Sequence, residues 1–204
     1  MNYDVKCQLL IIGNSNVGKT SIITRFTNGT FSQNYLATVG VDNYTKIETI
    51  DNKNVQIKLW DTAGQEKYKS LTKSFFRGAE GVILVYDITN LESFTDLKLW
   101  INSIKENLGE EKESIPSIIV GNKIDLGERE ISLEEANKFC KDNNYEYFET
   151  SAKTGENIDK SFRALVKKIL AAKSDDDDDG DKQQEGNIKI NSKDQKPKEG
   201  GCGC

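Results

Sequence analysis

The chain contains no histidine. That excludes Ser-His-Asp triads, histidine general bases and histidine metal ligands. No apolar run approaches 18 residues, so no membrane-spanning helix is expected. An excess of basic charge is also missing. The 204 residues carry a net charge of -5, and no nucleic-acid partner is expected. The first residues, Met1-Asn2-Tyr3-Asp4, lack signal-peptide character, and Asn2 stands where N-myristoylation needs glycine. A cytosolic protein is the expectation. Cysteine is scarce, with four in all. Cys7 falls in the first predicted strand and Cys140 in a predicted helix, and both read as reduced, buried thiols. Cys202 and Cys204 stand apart at the C-terminus.

What is present begins with Gly13-Asn14-Ser15-Asn16-Val17-Gly18-Lys19-Thr20, which fits the phosphate-cradling pattern G-x-x-x-x-G-K-[ST]. A strand-like run at 5–12 precedes it, and a helical run opening Ser21-Ile22-Ile23 follows. Glycine lets the backbone curl around a phosphate, and the N–H groups of the helix start point at the anion. Lys19 supplies charge to the β and γ phosphates, and the Thr20 hydroxyl can ligate Mg²⁺.

Periodicity predicts strands over 5–12, 41–50, 55–61, 81–87, 115–122 and 145–150. Helices are predicted over 19–28, 67–77, 91–107, 132–143 and 157–173. Residues 51–54 read as the turn of a hairpin. The expected fold is α/β, a P-loop nucleotide-binding fold. Its six-stranded sheet is mostly parallel with one antiparallel strand, flanked by about five helices. Ligands of such sheets sit at the carboxyl ends of the strands. The remaining motifs fall at such ends.

Asp61-Thr62-Ala63-Gly64-Gln65-Glu66 follows the third strand. Beside a P-loop, Asp61 can hold Mg²⁺ through water, Gly64 can offer an N–H to the γ-phosphate, and Gln65 can orient an attacking water. Alone, the segment would be an Asp-initiated turn before a helix. Asn122-Lys123-Ile124-Asp125 follows the fifth strand. A carboxylate at Asp125 can accept both N1–H and the exocyclic amine of guanine, a donor pair that adenine lacks. The Lys123 stem can lie over the base, and Asn122 can tie this loop to the P-loop. Ser151-Ala152-Lys153, after the sixth strand, leaves room for a backbone N–H to approach the guanine carbonyl. Thr38 is a second candidate Mg²⁺ ligand, and Phe31 could stack on the base edge. Two other classes stay open at this point. One is a nucleotide-locked module without turnover; the other is a P-loop kinase or ATPase, which Asp125 disfavours.

The set and order of these motifs resemble the Ras superfamily of small GTPases over residues 5–172. Several segments resemble the Rab family in particular. They are Val39-Gly40-Val41-Asp42, Trp60-Asp61-Thr62-Ala63-Gly64-Gln65-Glu66, Phe75-Phe76-Arg77-Gly78-Ala79, Leu84-Val85-Tyr86-Asp87-Ile88-Thr89 and the ending Cys202-Gly203-Cys204. The resemblance implies a GTP·Mg²⁺ switch in vesicle traffic, with Thr38 in switch I and Asp61 to Gln65 opening switch II. It implies an effector surface at Val39, Gly40, Val41, Asp42, Asn43, Trp60 and Phe75. It further implies geranylgeranyl chains on Cys202 and Cys204. The partners it implies are an exchange factor, a GTPase-activating protein, a GDP-dissociation inhibitor or escort protein, and effectors. A monomer is expected, cycling between cytosol and the cytoplasmic face of an intracellular or plasma membrane. Two residues depart from the Rab pattern: Asn16 replaces a P-loop glycine, and Asn43 replaces an effector-face phenylalanine.

Composition changes after Ala172. Residues 173–204 hold six Lys against nine Asp and Glu, a net -3, and almost no large apolar side chain. A disordered acidic tail is expected there, after a G domain spanning 1–172. The run Asp175–Asp179 reads as a solvating spacer, with metal capture or a partner site as alternatives.

Overall fold

A computed structural model describes residues 2–32, 41–62, 76, 78–107 and 115–181, and for 175–181 the backbone alone. The chain forms two compact units, Met1–Ala171 and Ala172–Cys204.

In the first unit the strands are β1 (Val5–Ile12), β2 (Val41–Ile50), β3 (Lys53–Thr62), β4 (Gly81–Asp87), β5 (Ser117–Asn122) and β6 (Glu146–Thr150). The helices are α1 (Lys19–Asn28), α2 (Leu91–Thr95), α3 (Leu97–Asn107), α4 (Leu133–Asp142) and α5 (Ile158–Asp181), with a 3₁₀ turn at Ile124–Leu126. One sheet has the order β2-β3-β1-β4-β5-β6. Among the described strands, only the β2–β3 pair is antiparallel. The expected α/β fold is therefore present. β4 is buried at every position, as a central parallel strand must be when helices cover both faces.

Side-chain alternation along the strands builds two cores. On one face Leu9, Ile11, Leu59 and Val85 pack with Ile22 and Phe26 of α1 and Phe162 and Val166 of α5. On the other face Leu10, Ile12, Leu84 and Tyr86 pack with Phe94 of α2, Ile101 of α3 and Cys140 of α4. Fully burying one such aliphatic or aromatic side chain contributes about 1.5–3 kcal/mol. Cys7 and Cys140 are both buried. Burial pushes the Cys140 thiol up to about 12, so it stays protonated.

Three departures from the periodicity change an element rather than trim its ends by a residue or two. The hairpin turn is two residues, not four: Asp51 and Asn52 both take left-handed φ (49° and 63°), so Ile50 pairs directly with Lys53. Two left-handed residues match the twist of the flanking strands. The helix expected over 91–107 is two helices. Asn90 caps α2 by accepting the Ser93 N–H at 2.7 Å, and the chain turns at Asp96 before α3. The last helix, expected to end at 173, runs to Asp181. No glycine or proline interrupts it before Gly180, and each further residue adds a bond to an existing helix. The 67–77 helix lies almost wholly outside the described residues.

Candidate nucleotide site

The order of the sheet reverses direction at β1, whose neighbours are β3 on one side and β4 on the other. The crevice beyond the carboxyl ends at such a switch point is where ligands bind. The loop from β1 to α1 covers it.

This loop is pressed onto β4. A Cβ on Gly13 would lie 2.1 Å from the Val85 carbonyl oxygen, and one on Gly18 would lie 2.4 Å from Asn122 Nδ2. Gly18 also takes φ +96°, a conformation that glycine adopts without steric cost. It opens α1, and among the described residues no side chain caps that helix. Lys19 is buried, and its Nζ donates to the carbonyls of Gly13 (2.6 Å) and Asn14 (3.0 Å). The ammonium thus sits inside the curl of the loop. Asn16 is exposed and left-handed, with φ 63°. Asparagine tolerates that conformation better than most non-glycine residues, which accounts for its standing where glycine is usual.

The Asn14 side chain braces the loop from outside. Its amide donates to Asp96 Oδ2 at 2.7 Å and accepts from the Trp100 indole at 2.8 Å. The turn between α2 and α3 therefore holds the P-loop. Neither Asp96 nor Trp100 carries a sequence signal that points to the loop.

Thr20 Oγ1 donates to Asp61 Oδ2 at 2.6 Å. Asp61 is fully buried at the end of β3. A hydroxyl and a carboxylate at this spacing, beneath a phosphate loop, are the hard oxygen donors that Mg²⁺ takes, so these residues fit the ion. Thr38, Gly64 and Gln65 lie outside the described residues, as do Val39, Gly40, Phe75, Cys202 and Cys204.

At the far side Asn122 joins three segments. Its Nδ2 donates to the Val17 carbonyl at 2.9 Å. Its Oδ1 accepts from Thr150 Oγ1 and the Ala152 N–H, each at 3.2 Å. Lys123 takes left-handed φ 73°, and its ammonium pairs with Asp87 Oδ2 at 2.6 Å. Asp87, at the end of β4, stands in the Rab-like segment 84–89, but nothing in the sequence signals its pairing with Lys123. Ser151 Oγ donates to Asp125 Oδ1 at 2.6 Å, and the exposed Lys153 ammonium is 3.9 Å from Oδ2. The segments after β5 and β6 thus meet at one carboxylate. Ser21 lies in the first turn of α1. Phe31 is partly buried against the α1–α5 core.

On the outer hairpin, Asn43 is exposed and pairs with Trp60 across the strands. Trp60 packs on the α2–α4 side, with the Lys58 ammonium 4.4 Å from its ring centroid. Tyr44 points to the opposite face, against the α1 core. Val41 pairs with Thr62 and Asp42 with Asp61.

The fold and these strand-end groups define a P-loop protein built for a guanine nucleotide. Residues 8–171 match the Ras family. The chain is 41% identical over 169 residues to the Ras-related protein Rab-13 of Bos taurus, covering 82% of each chain. It is 43% identical over 163 residues to Rab-18-B of Danio rerio, covering 80% of this chain and 78% of that one. Over 201 residues it is 36% identical to Rab-10 of Caenorhabditis elegans, covering 98% and 97%. The chain belongs to the Ras family, as a Rab-like small GTPase. It binds and hydrolyses GTP as a GDP/GTP switch in intracellular vesicle traffic.

Proposed function

We propose that this chain is a lipid-anchored switch whose output is the recruitment of effectors to the cytoplasmic face of a membrane. The observation that carries the switch is the Thr20–Asp61 contact beneath the P-loop, because it links a phosphate-binding helix to the strand that opens switch II. Thr20, Asp61 and Thr38 hold Mg²⁺, which when bound neutralises charge on the phosphates. Gly13 to Ser21 hold the phosphates, with Lys19 leaving its loop carbonyls for the phosphate oxygens. Asn122, Lys123, Asp125 and the 151–153 loop select guanine, and Phe31 edges the base. Gln65 orients the water that attacks the γ-phosphorus while the bond to the β-phosphate oxygen breaks. The change of state is then read through Thr38 and Gly64, which the γ-phosphate holds and hydrolysis releases. An exchange factor, a GTPase-activating protein and a GDP-dissociation inhibitor or escort protein act on the cycle.

Anchoring rests on Cys202 and Cys204. One lipid chain gives marginal binding, and stable attachment takes two signals. The stretch 173–204 carries net -3, so no polybasic patch supplies the second. Changing both cysteines to Ser is expected to move the protein from the membrane pellet to the soluble fraction. Retention in the pellet would refute the lipid assignment.

Effector choice rests on Asn43, Trp60 and Phe75, with Val39 to Asp42 beside them. A partner shaped for an apolar ring at 43 would desolvate the Asn amide, costing about 1–3 kcal/mol. It would also lose about 1.5–3 kcal/mol of ring burial. Tyr44 offers no substitute, because its ring packs on the other face of the sheet. Asn43→Phe is therefore expected to strengthen binding to generic Rab effectors by about 10²-fold, with GTP affinity unchanged. Equal effector binding by both forms in a pull-down series would overturn this.

A further inference from the structure

Arg25 lies on α1, two turns beyond the P-loop, and no nucleotide motif includes it. Its guanidinium is spent on backbone carbonyls. Nε donates to Ala152 O at 2.7 Å, Nη2 donates to Lys153 O, and Nη1 donates to Gly29 O at 2.7 Å. The last bond closes the C-terminus of its own helix. The first two reach 127 and 128 residues along the chain into the segment after β6.

Those two carbonyls belong to consecutive peptide planes. A peptide unit is planar and trans, so fixing its C=O fixes the N–H on the opposite side. Holding Ala152 O therefore sets the direction of the Lys153 N–H. Holding Lys153 O sets the Thr154 N–H, which donates to Ser151 Oγ at 3.0 Å. Ser151 Oγ in turn donates to Asp125. A charged donor also polarises each peptide it binds and strengthens the donor at its far end. A planar guanidinium holds its donors in one rigid fork and so fixes the two peptides relative to each other; a lysine ammonium carries three donors on a single rotatable atom and fixes no such relation.

We propose that Arg25 is a positioning residue for base recognition. It couples α1, whose N-terminus binds the phosphates, to the 151–153 loop that faces the guanine carbonyl, so that the two ends of the nucleotide are held and released together. The proposal rests on the guanine-nucleotide reading of the site.

The test uses the full chain loaded with GDP. Arg25→Ala and Arg25→Lys are compared with the native protein for GDP dissociation rate. They are also compared in competition between GDP and 2-aminopurine riboside 5′-diphosphate, a guanine analogue that lacks the 6-oxo group and the N1–H; the N1–H loss falls on Asp125 in every form, so the change in preference between native and variant protein reads the 151–153 loop. Arg25→Ala is expected to release GDP at least about ten-fold faster, the loss of one charge-assisted bond's worth of order. Its preference for GDP over the analogue should fall by a similar factor, because the lost order concerns the loop that reads the oxo group. Arg25→Lys should fall between. If Arg25→Ala does not fold, Arg25→Lys carries the same comparison. Equal weakening toward both nucleotides would make Arg25 a general brace and overturn the proposal, as would unchanged GDP release. A native protein that does not prefer GDP over ADP would overturn the guanine reading itself, which separates the two failures.

Discussion

Native protein is expected to bind GTP at least about 10⁴-fold more tightly than ATP, and Asp125→Asn to move that preference toward xanthine nucleotides. The reason lies in the carboxylate's surroundings. Asp125 is mostly buried and receives the Ser151 hydroxyl at 2.6 Å, and among the described residues its one paired cation is Lys153 at 3.9 Å. Its remaining lone pairs need donors from the base. Guanine supplies two; adenine supplies none in that register and leaves the charge desolvated. Sites built on such paired polar groups reject the mismatched ligand by about 10⁴–10⁵. An amide at 125 would present a donor, which suits the extra carbonyl of xanthine. Competition of GTP, ATP and XTP for native and variant protein measures this. Comparable affinities of the native protein for GTP and ATP would refute it.

Gln65→Leu is expected to leave GTP binding intact while hydrolysis falls severely, most of all in the presence of a GTPase-activating protein. Leucine cannot orient water. An arginine supplied by such a partner adds roughly 10³–10⁵ to the rate, and that gain requires the water to be in place. Single-turnover phosphate release, with and without the activating protein, reads the effect. Hydrolysis of the variant at the native rate would remove Gln65 from the mechanism.

Much of the site was legible because its chemistry is local. Gly13 to Thr20 are contiguous, and each does its work through backbone freedom or a side chain one turn into a helix. Asp61 and Asn122 lie at the carboxyl ends of β3 and β5 and Ser151 directly follows β6, so a β–α reading was enough to gather them at one edge of the sheet. The residues that escaped notice act across long separations. Asp96 and Trp100 hold Asn14 over 82 and 86 residues, and Arg25 holds the 151–153 loop over 127 and 128. Nothing in the spacing of either segment signals its partner. The shortness of the expected hairpin turn and the break at Asp96 were not legible for a related reason. Two left-handed residues shorten the first, and the chain turns at Asp96, whose carboxylate is held by the P-loop, at the second.

The amino-acid sequence by itself determined the β–α order, the phosphate loop and the base-reading motifs, because periodicity and glycine placement are properties of neighbouring residues. Only the tertiary structure decided how those motifs are held. It placed Tyr44 on one face of the hairpin and Asn43 on the other, paired Lys123 with Asp87, and set the guanidinium of Arg25 on the 151–153 loop. Such contacts depend on sheet order and on which face each side chain takes, and both are settled only when the strands pack.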